Sequence, residues 1–136
     1  MKINDKEYKV DSSAYTAILY KSKFGTGIFQ DLKKVQEVGL KQQEAINKLK
    51  KENPKLTEEE INEKSSLAII DSLDDFIYII EKMAYILIVS ADSSQVGSFE
   101  DFLKGIPKVK LDDQWIVEVT NKMVSSFCWS RTYRNA

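Results

Sequence analysis

The 136-residue chain contains no histidine and a single cysteine, Cys128. Without histidine the commonest general base and metal ligand is missing, and neither a Ser-His-Asp nor a Cys-His site can be assembled. A lone cysteine excludes an internal disulfide and, with no imidazole beside it, leaves structural zinc short of soft ligands. Its neighbours Phe127 and Trp129 offer nothing that activates a thiol, so a buried, inert side chain is expected. Charge of one sign is also lacking. Twenty basic residues stand against 21 acidic ones, a formal net charge of −1, which supplies no overall field to draw in nucleic acid or an anionic membrane. Long hydrophobic runs are missing too: Phe76 to Val89 falls short of the roughly 20 apolar residues a bilayer requires, and Glu81-Lys82 sits in its middle. The opening Met-Lys-Ile-Asn-Asp-Lys-Glu has charges where a signal peptide needs an apolar core, so no secretion is expected.

What is present is a series of helix signals. Residues 2–10 alternate Ile3, Tyr8 and Val10 with polar neighbours around Asn4-Asp5, the pattern of a small β-hairpin that must lie on something to be stable. Asp11 then has the character of an N-cap, with Val10 and Tyr15 placed as a hydrophobic staple, and the helix after it sets Tyr15, Ile18 and Leu19 on one face before ending at Gly25. A second helix opens near Gly27 with Ile28, Leu32 and Val35 on one stripe; from Lys41 to Asn53 it thins into an exposed helix or mobile connector, closed by Pro54. Thr57 and Glu60 form a capping box with Leu56 and Ile61 as its staple, starting a helix over 57–91 whose second half is apolar on every side and must be surrounded. Ser98 caps a short helix over 99–105 with Asp101 as partner, and Asp112 caps the last one, with Leu111 and Ile116 stapled and Trp115, Val119, Met123 and Phe127 inward. The expectation is one mostly α domain over 1–136, of a size that hides roughly two thirds of its unfolded surface. Its parts are a hairpin (1–10), a helix-corner-helix (11–53), a central helix (57–91) and C-terminal helices (98–136).

Chemistry is sparse in this pattern. The pairs Asp74-Asp75 and Asp112-Asp113 are adjacent in sequence, so they point to different sides of a helix and make poor shared-proton dyads. "FGTGIF" at 24–29 has Gly-x-Gly, but a helix precedes it where a nucleotide fingerprint needs a strand, and no third glycine or Gly-Lys-Ser/Thr follows. The two glycines therefore predict a sharp corner, with Gly25 left-handed and Phe24 and Phe29 anchoring it. Lys33, Lys34, Lys41, Lys48, Lys50 and Lys51 gather in one arm and Lys122, Arg131 and Arg134 in another. Glu37, Glu44 and Glu52 interrupt the first, no recognition-helix motif or stacking platform accompanies either, and a solvated face explains them better than nucleic-acid binding. No catalytic residue, cofactor site or metal site is expected.

Three pieces, in order and spacing, resemble one family: the opening "MKINDKEYKV", the corner "LYKSKFGTGIFQDL", and "MAYILIVSADSSQVGSFEDFLKGI". They are similar to the tail assembly chaperones of long-tailed bacteriophages and prophages of Gram-positive bacteria. The resemblance covers residues 1–35 and 83–106, and Tyr85 stands where relatives often carry tryptophan. It implies a non-enzymatic protein of the host cytoplasm, absent from the mature virion, which coats the aggregation-prone tape measure protein while tail tube protein polymerises round it. Partners are then the tape measure protein, the tail tube protein and further copies of the chain as a homo-oligomer, with no nucleic acid and no membrane. Such a coat needs apolar grooves for partner helices, and Phe24, Phe29, Phe99, Phe102 and Leu103 are the residues expected to border one, against the plainer reading that each is core. The alternative that stays open is a small helical prophage regulatory or DNA-binding protein.

Overall fold

This computed structural model describes residues 1–128; Trp129 and the basic residues Arg131 and Arg134 lie outside the described residues. Two short strands, β1 (Lys2–Ile3) and β2 (Lys6–Glu7), pair antiparallel in the register Lys2 with Glu7 and Ile3 with Lys6. Asn4 turns the chain with φ 55°, a left-handed conformation that asparagine tolerates. A hairpin this small is anchored by what it touches. Ile3 is buried in the main core, and Gln95 grips the following segment at both ends, accepting from Lys9 N (2.7 Å) and donating to Lys9 O (2.9 Å).

Six α-helices follow among the described residues: α1 (Ala14–Phe24), α2 (Ile28–Glu52), α3 (Glu58–Ala68), α4 (Ile70–Ala91), α5 (Phe99–Lys104) and α6 (Gln114–Phe127). The fold is a compact, all-helical domain with α4 at its centre, packed by α1, α2, α5 and α6. Seven successive side chains of α4, Lys82 to Ile88, are buried, which is why its sequence shows no polar face there.

Several local expectations are corrected. The cap of α1 is Ser13, not Asp11: Ser13 Oγ accepts from Tyr15 N, while Thr16 Oγ1 accepts from Ser13 N, and Asp11 N donates to Leu87 O instead. The inward face of α1 is also different, because Tyr15 and Ile18 are exposed whereas Thr16 and Tyr20 are buried. A buried threonine is tolerable here since its hydroxyl bonds Ser90 Oγ at 3.0 Å. Asp113 rather than Asp112 stands at the N-cap position of α6, and its carboxylate makes no capping bond but accepts from Lys110 N at 2.9 Å. Cys128, expected to be buried, is exposed.

The largest correction is the central rod, which is two helices. The backbone leaves helical geometry at Ile69 (φ −114°, ψ 15°), with neither glycine nor proline to announce it. The bend is tertiary in origin: α3 packs mainly on α2, whereas α4 packs on α1, α5 and α6 as well as α2, and a straight 35-residue helix roughly 50 Å long could not make both sets of contacts. Burying Ile69 and Ile61 favours the bent path. Beyond Leu40 the outer half of α2 keeps only Gln42, Ala45, Ile46 and Leu49 half-buried, so with α3 it forms a narrow-seamed helical hairpin leaving the body. Of the two readings for 41–53, exposed helix and mobile connector, the helix holds, stopped ahead of Pro54, and Thr57 and Glu60 cap α3 reciprocally as their spacing predicts.

Candidate partner-binding groove

The corner at 25–27 is built as its residues dictate. Gly25 is left-handed at φ 80° and closes α1 by donating to Lys21 O (2.8 Å), and Gly27 opens α2 from an extended backbone. The corner aims α1 and α2 at the same stretch of α4, and there lies a buried polar cluster. Lys82 of α4 donates to Asp31 Oδ2 of α2 at 2.8 Å and to Thr26 Oγ1 at 3.1 Å. Thr26 Oγ1 donates to the same carboxylate oxygen at 2.8 Å, as does the hydroxyl of Tyr20 from α1. The amine also sits over three rings, Tyr78 (4.8 Å), Tyr20 (5.5 Å) and Phe24 (5.7 Å). Burial alone would raise the Asp31 carboxyl, but the hydrogen bonds from Lys82, Tyr20 and Thr26 outweigh it and hold it below its ordinary range. Burial, and then the bond to Asp31, pushes the Tyr20 hydroxyl well above its ordinary value. A carboxylate with three donors, one of them a neutralising amine, is structurally satisfied; the cluster is a latch joining α1, the corner, α2 and α4.

The five residues expected to border a groove do not come together. Phe24, Phe99 and Phe102 join Tyr20, Tyr85 and Tyr8 in an aromatic cluster on the second half of α4, mostly edge-to-face, with ring centroids 5.0 to 6.1 Å apart along the chain of contacts Tyr20–Phe24–Phe99–Tyr85–Phe102–Tyr8. Phe102 is only 4 % exposed, Phe24, Phe99 and Leu103 are half-buried against the core, and the Tyr85 hydroxyl donates to Gly97 O at 2.7 Å. Phe29 lies apart, 59 % exposed, its ring edge-on to Phe127 of α6 at 6.4 Å.

Phe29 does open onto a groove. Between α2 and α6, floored by the first turns of α4, runs a trough of about 730 Å³. Phe29, Leu32, Val35 and Leu40 form the α2 wall; Ile116, Val117 and Val124 the α6 wall; Leu73 and Phe76 the floor. The α2 wall from Phe29 to Gln42 is roughly 20 Å long. Its rim keeps large apolar side chains in water, with Leu40 58 % and Val117 46 % exposed beside Phe29 and Leu111. Polar lining is confined to Lys33, three amides (Gln36, Gln42, Asn121), Thr120 and the Cys128 thiol. Such a lining can hold an apolar guest and offers no acid–base pair. Among the described residues no group of three or more Cys, Asp or Glu could hold a metal ion, and no helix is long and apolar enough to cross a membrane.

Sequence reasoning thus found one residue of the groove and missed the rest. The signal lay in α2 and α6, where apolar residues occupy positions beyond the single stripe a core needs: Phe29 and Leu40 beside Leu32 and Val35, Val117 beside Ile116. In comparison with known proteins, no family model, no curated protein and no solved structure matches the chain.

Proposed function

We propose that the chain is a non-enzymatic tail assembly chaperone of a long-tailed phage or prophage, holding apolar helical segments of the tape measure protein in the α2–α4–α6 groove until the tail is built. The observation that carries this is the groove itself: an open, apolar trough roughly 20 Å long, walled by two helices and rimmed by exposed Phe29, Leu40 and Val117. A trough of that shape suits an amphipathic helix laid along it, the common way in which helical proteins capture helical partners. The likeness of residues 1–35 and 83–106 to the tail chaperones supplies the identity of the guest. On this reading partner binding moves from the aromatic cluster of Phe24, Phe99 and Phe102, and from Leu103 beside the core, to the groove, and Phe29 alone remains of the five. Tail tube protein is then the second partner in the assembly, copies of the chain coat successive segments as a homo-oligomer, and the work is done in the host cytoplasm with no copy kept in the virion.

Co-expression with the cognate tape measure protein tests this directly. The wild-type chain should keep it soluble and co-purify with it, whereas Leu40→Asp and Val117→Asp, both at exposed positions, should melt like the wild type and lose the complex. Retention of the complex by both folded variants would remove the groove from the binding surface.

A further inference from the structure

The groove carries one sign of charge. Lys33 is the sole charged residue lining it, one turn in from Phe29, and it has no ion-pair partner among the described residues. The remaining polar groups of the trough, the amides of Gln36, Gln42 and Asn121, the Thr120 hydroxyl and the Cys128 thiol, can each donate or accept, so they favour neither sign. We infer that the guest of this groove is an amphipathic helix carrying an aspartate or glutamate beside its apolar stripe, positioned to pair with Lys33; the inference rests on the helix-docking reading above. A docked helix would cover the apolar walls and strip water from the Lys33 amine. A guest carboxylate offsets that loss, whereas a guest lysine or arginine meets a cation in a lining that, among the described residues, holds no acidic side chain. Opposite charge at such a rim governs which partner is accepted more than how tightly any partner binds. The length of the α2 wall sets the guest at about 13 residues, so its apolar contacts fall at i, i+3 or i+4, i+7 and i+11.

The test uses two synthetic helices of about 14 residues, side-chain stapled on the solvent face so that they are helical when free. They share one leucine stripe and differ only in a glutamate or a lysine flanking it. Each is titrated by calorimetry into the full chain and into its Lys33→Glu and Val117→Asp variants. The glutamate peptide should bind wild type about fivefold more tightly than the lysine peptide, the order should reverse for Lys33→Glu, and Val117→Asp should bind neither. Equal affinities of both peptides for wild type and for Lys33→Glu, still abolished by Val117→Asp, would overturn the carboxylate while leaving helix docking in place. Binding of neither peptide to wild type would overturn both. Sedimentation of the free chain as a dimer that Val117→Asp converts to monomer, or displacement of the peptides by dodecanoate alone, would assign the groove to a second copy or to an acyl chain and overturn the inference.

Discussion

Lys82→Met removes the cation from the buried latch and leaves the Asp31 carboxylate, 1 % exposed, without its neutralising partner. Breaking a buried pair from one side costs about 3–5 kcal/mol, because the remaining charge stays desolvated. The loss here includes contacts of the amine with the rings of Tyr78, Tyr20 and Phe24, of which the nearest is worth on the order of 1 kcal/mol. Asp31→Leu should cost a similar amount by stranding the amine. The double variant Asp31→Leu/Lys82→Met buries no charge and leaves only the Tyr20 and Thr26 hydroxyls short of a partner, about 1–3 kcal/mol for the buried Tyr20 and less for the half-exposed Thr26. It should therefore be more stable than the two single losses predict by about 2 kcal/mol or more. Urea unfolding of the four proteins closes the cycle. The same linkage gives a pH signature: the folded-state carboxyl lies below its ordinary 3.8, so its stabilisation is complete above that pH and is lost as pH falls through the lower folded value. Wild type should lose stability more steeply below about pH 4 than Asp31→Asn does. Single losses under about 1 kcal/mol, or additivity within about 0.5 kcal/mol, would refute the latch as a stabilising unit.

Two further outcomes follow from geometry. Gly25→Val should lower stability by about 1–2 kcal/mol through backbone strain alone, since a Cβ there meets no atom within 4 Å while φ is +80°; Gly25→Asn, which tolerates that conformation, should lose less, and equal melting of the Gly25→Val and wild-type proteins would place the strain elsewhere. Phe102→Asp should unfold the chain, because it buries an unpaired charge at a 4 % exposed position, whereas Phe29→Asp at 59 % exposure should leave the circular dichroism melt within a few degrees of wild type; a folded Phe102→Asp protein would contradict the core assignment.

Several element ends that carry their own hydrogen-bond chemistry were legible in the sequence, although the equally local Ser13–Thr16 box of α1 was not. Thr57 with Glu60, Ser98 with the Asp101 amide, and Gly25 with Gly27 act locally, so their spacing is enough. What depends on distant partners was not legible. Nothing in Leu67-Ala68-Ile69-Ile70 announces the bend at Ile69, where α3, packed mainly on α2, gives way to α4, packed on α1, α5 and α6 as well. Thr16 and Asp31 are polar residues that nothing local marks as core, yet both are buried, with Ser90 and Lys82 arriving from 74 and 51 residues away to satisfy them. The groove escaped for a related reason: apolar residues of α2 and α6 look like core until the fold shows that no element of the described chain covers them.

The latch and the groove share a helix, and this sharing explains why an exposed apolar trough can keep its shape. In the first turns of α2, Ile28 and Asp31 are buried toward α1 and α4, while Phe29, Leu32, Lys33 and Gln36 line the trough. The core side fixes this segment through a salt bridge and two hydroxyl donors converging on one carboxylate oxygen, which sets both the rotation of α2 about its axis and its height along α4. A purely apolar seam would define neither as sharply, since hydrophobic contacts are non-directional. Rotating α2 by one residue, about 100°, would carry Phe29 and Leu40 off the trough and expose Leu32. Directional bonds on the buried face therefore preorganise the binding face, and a guest helix does not have to meet the cost of ordering its own site.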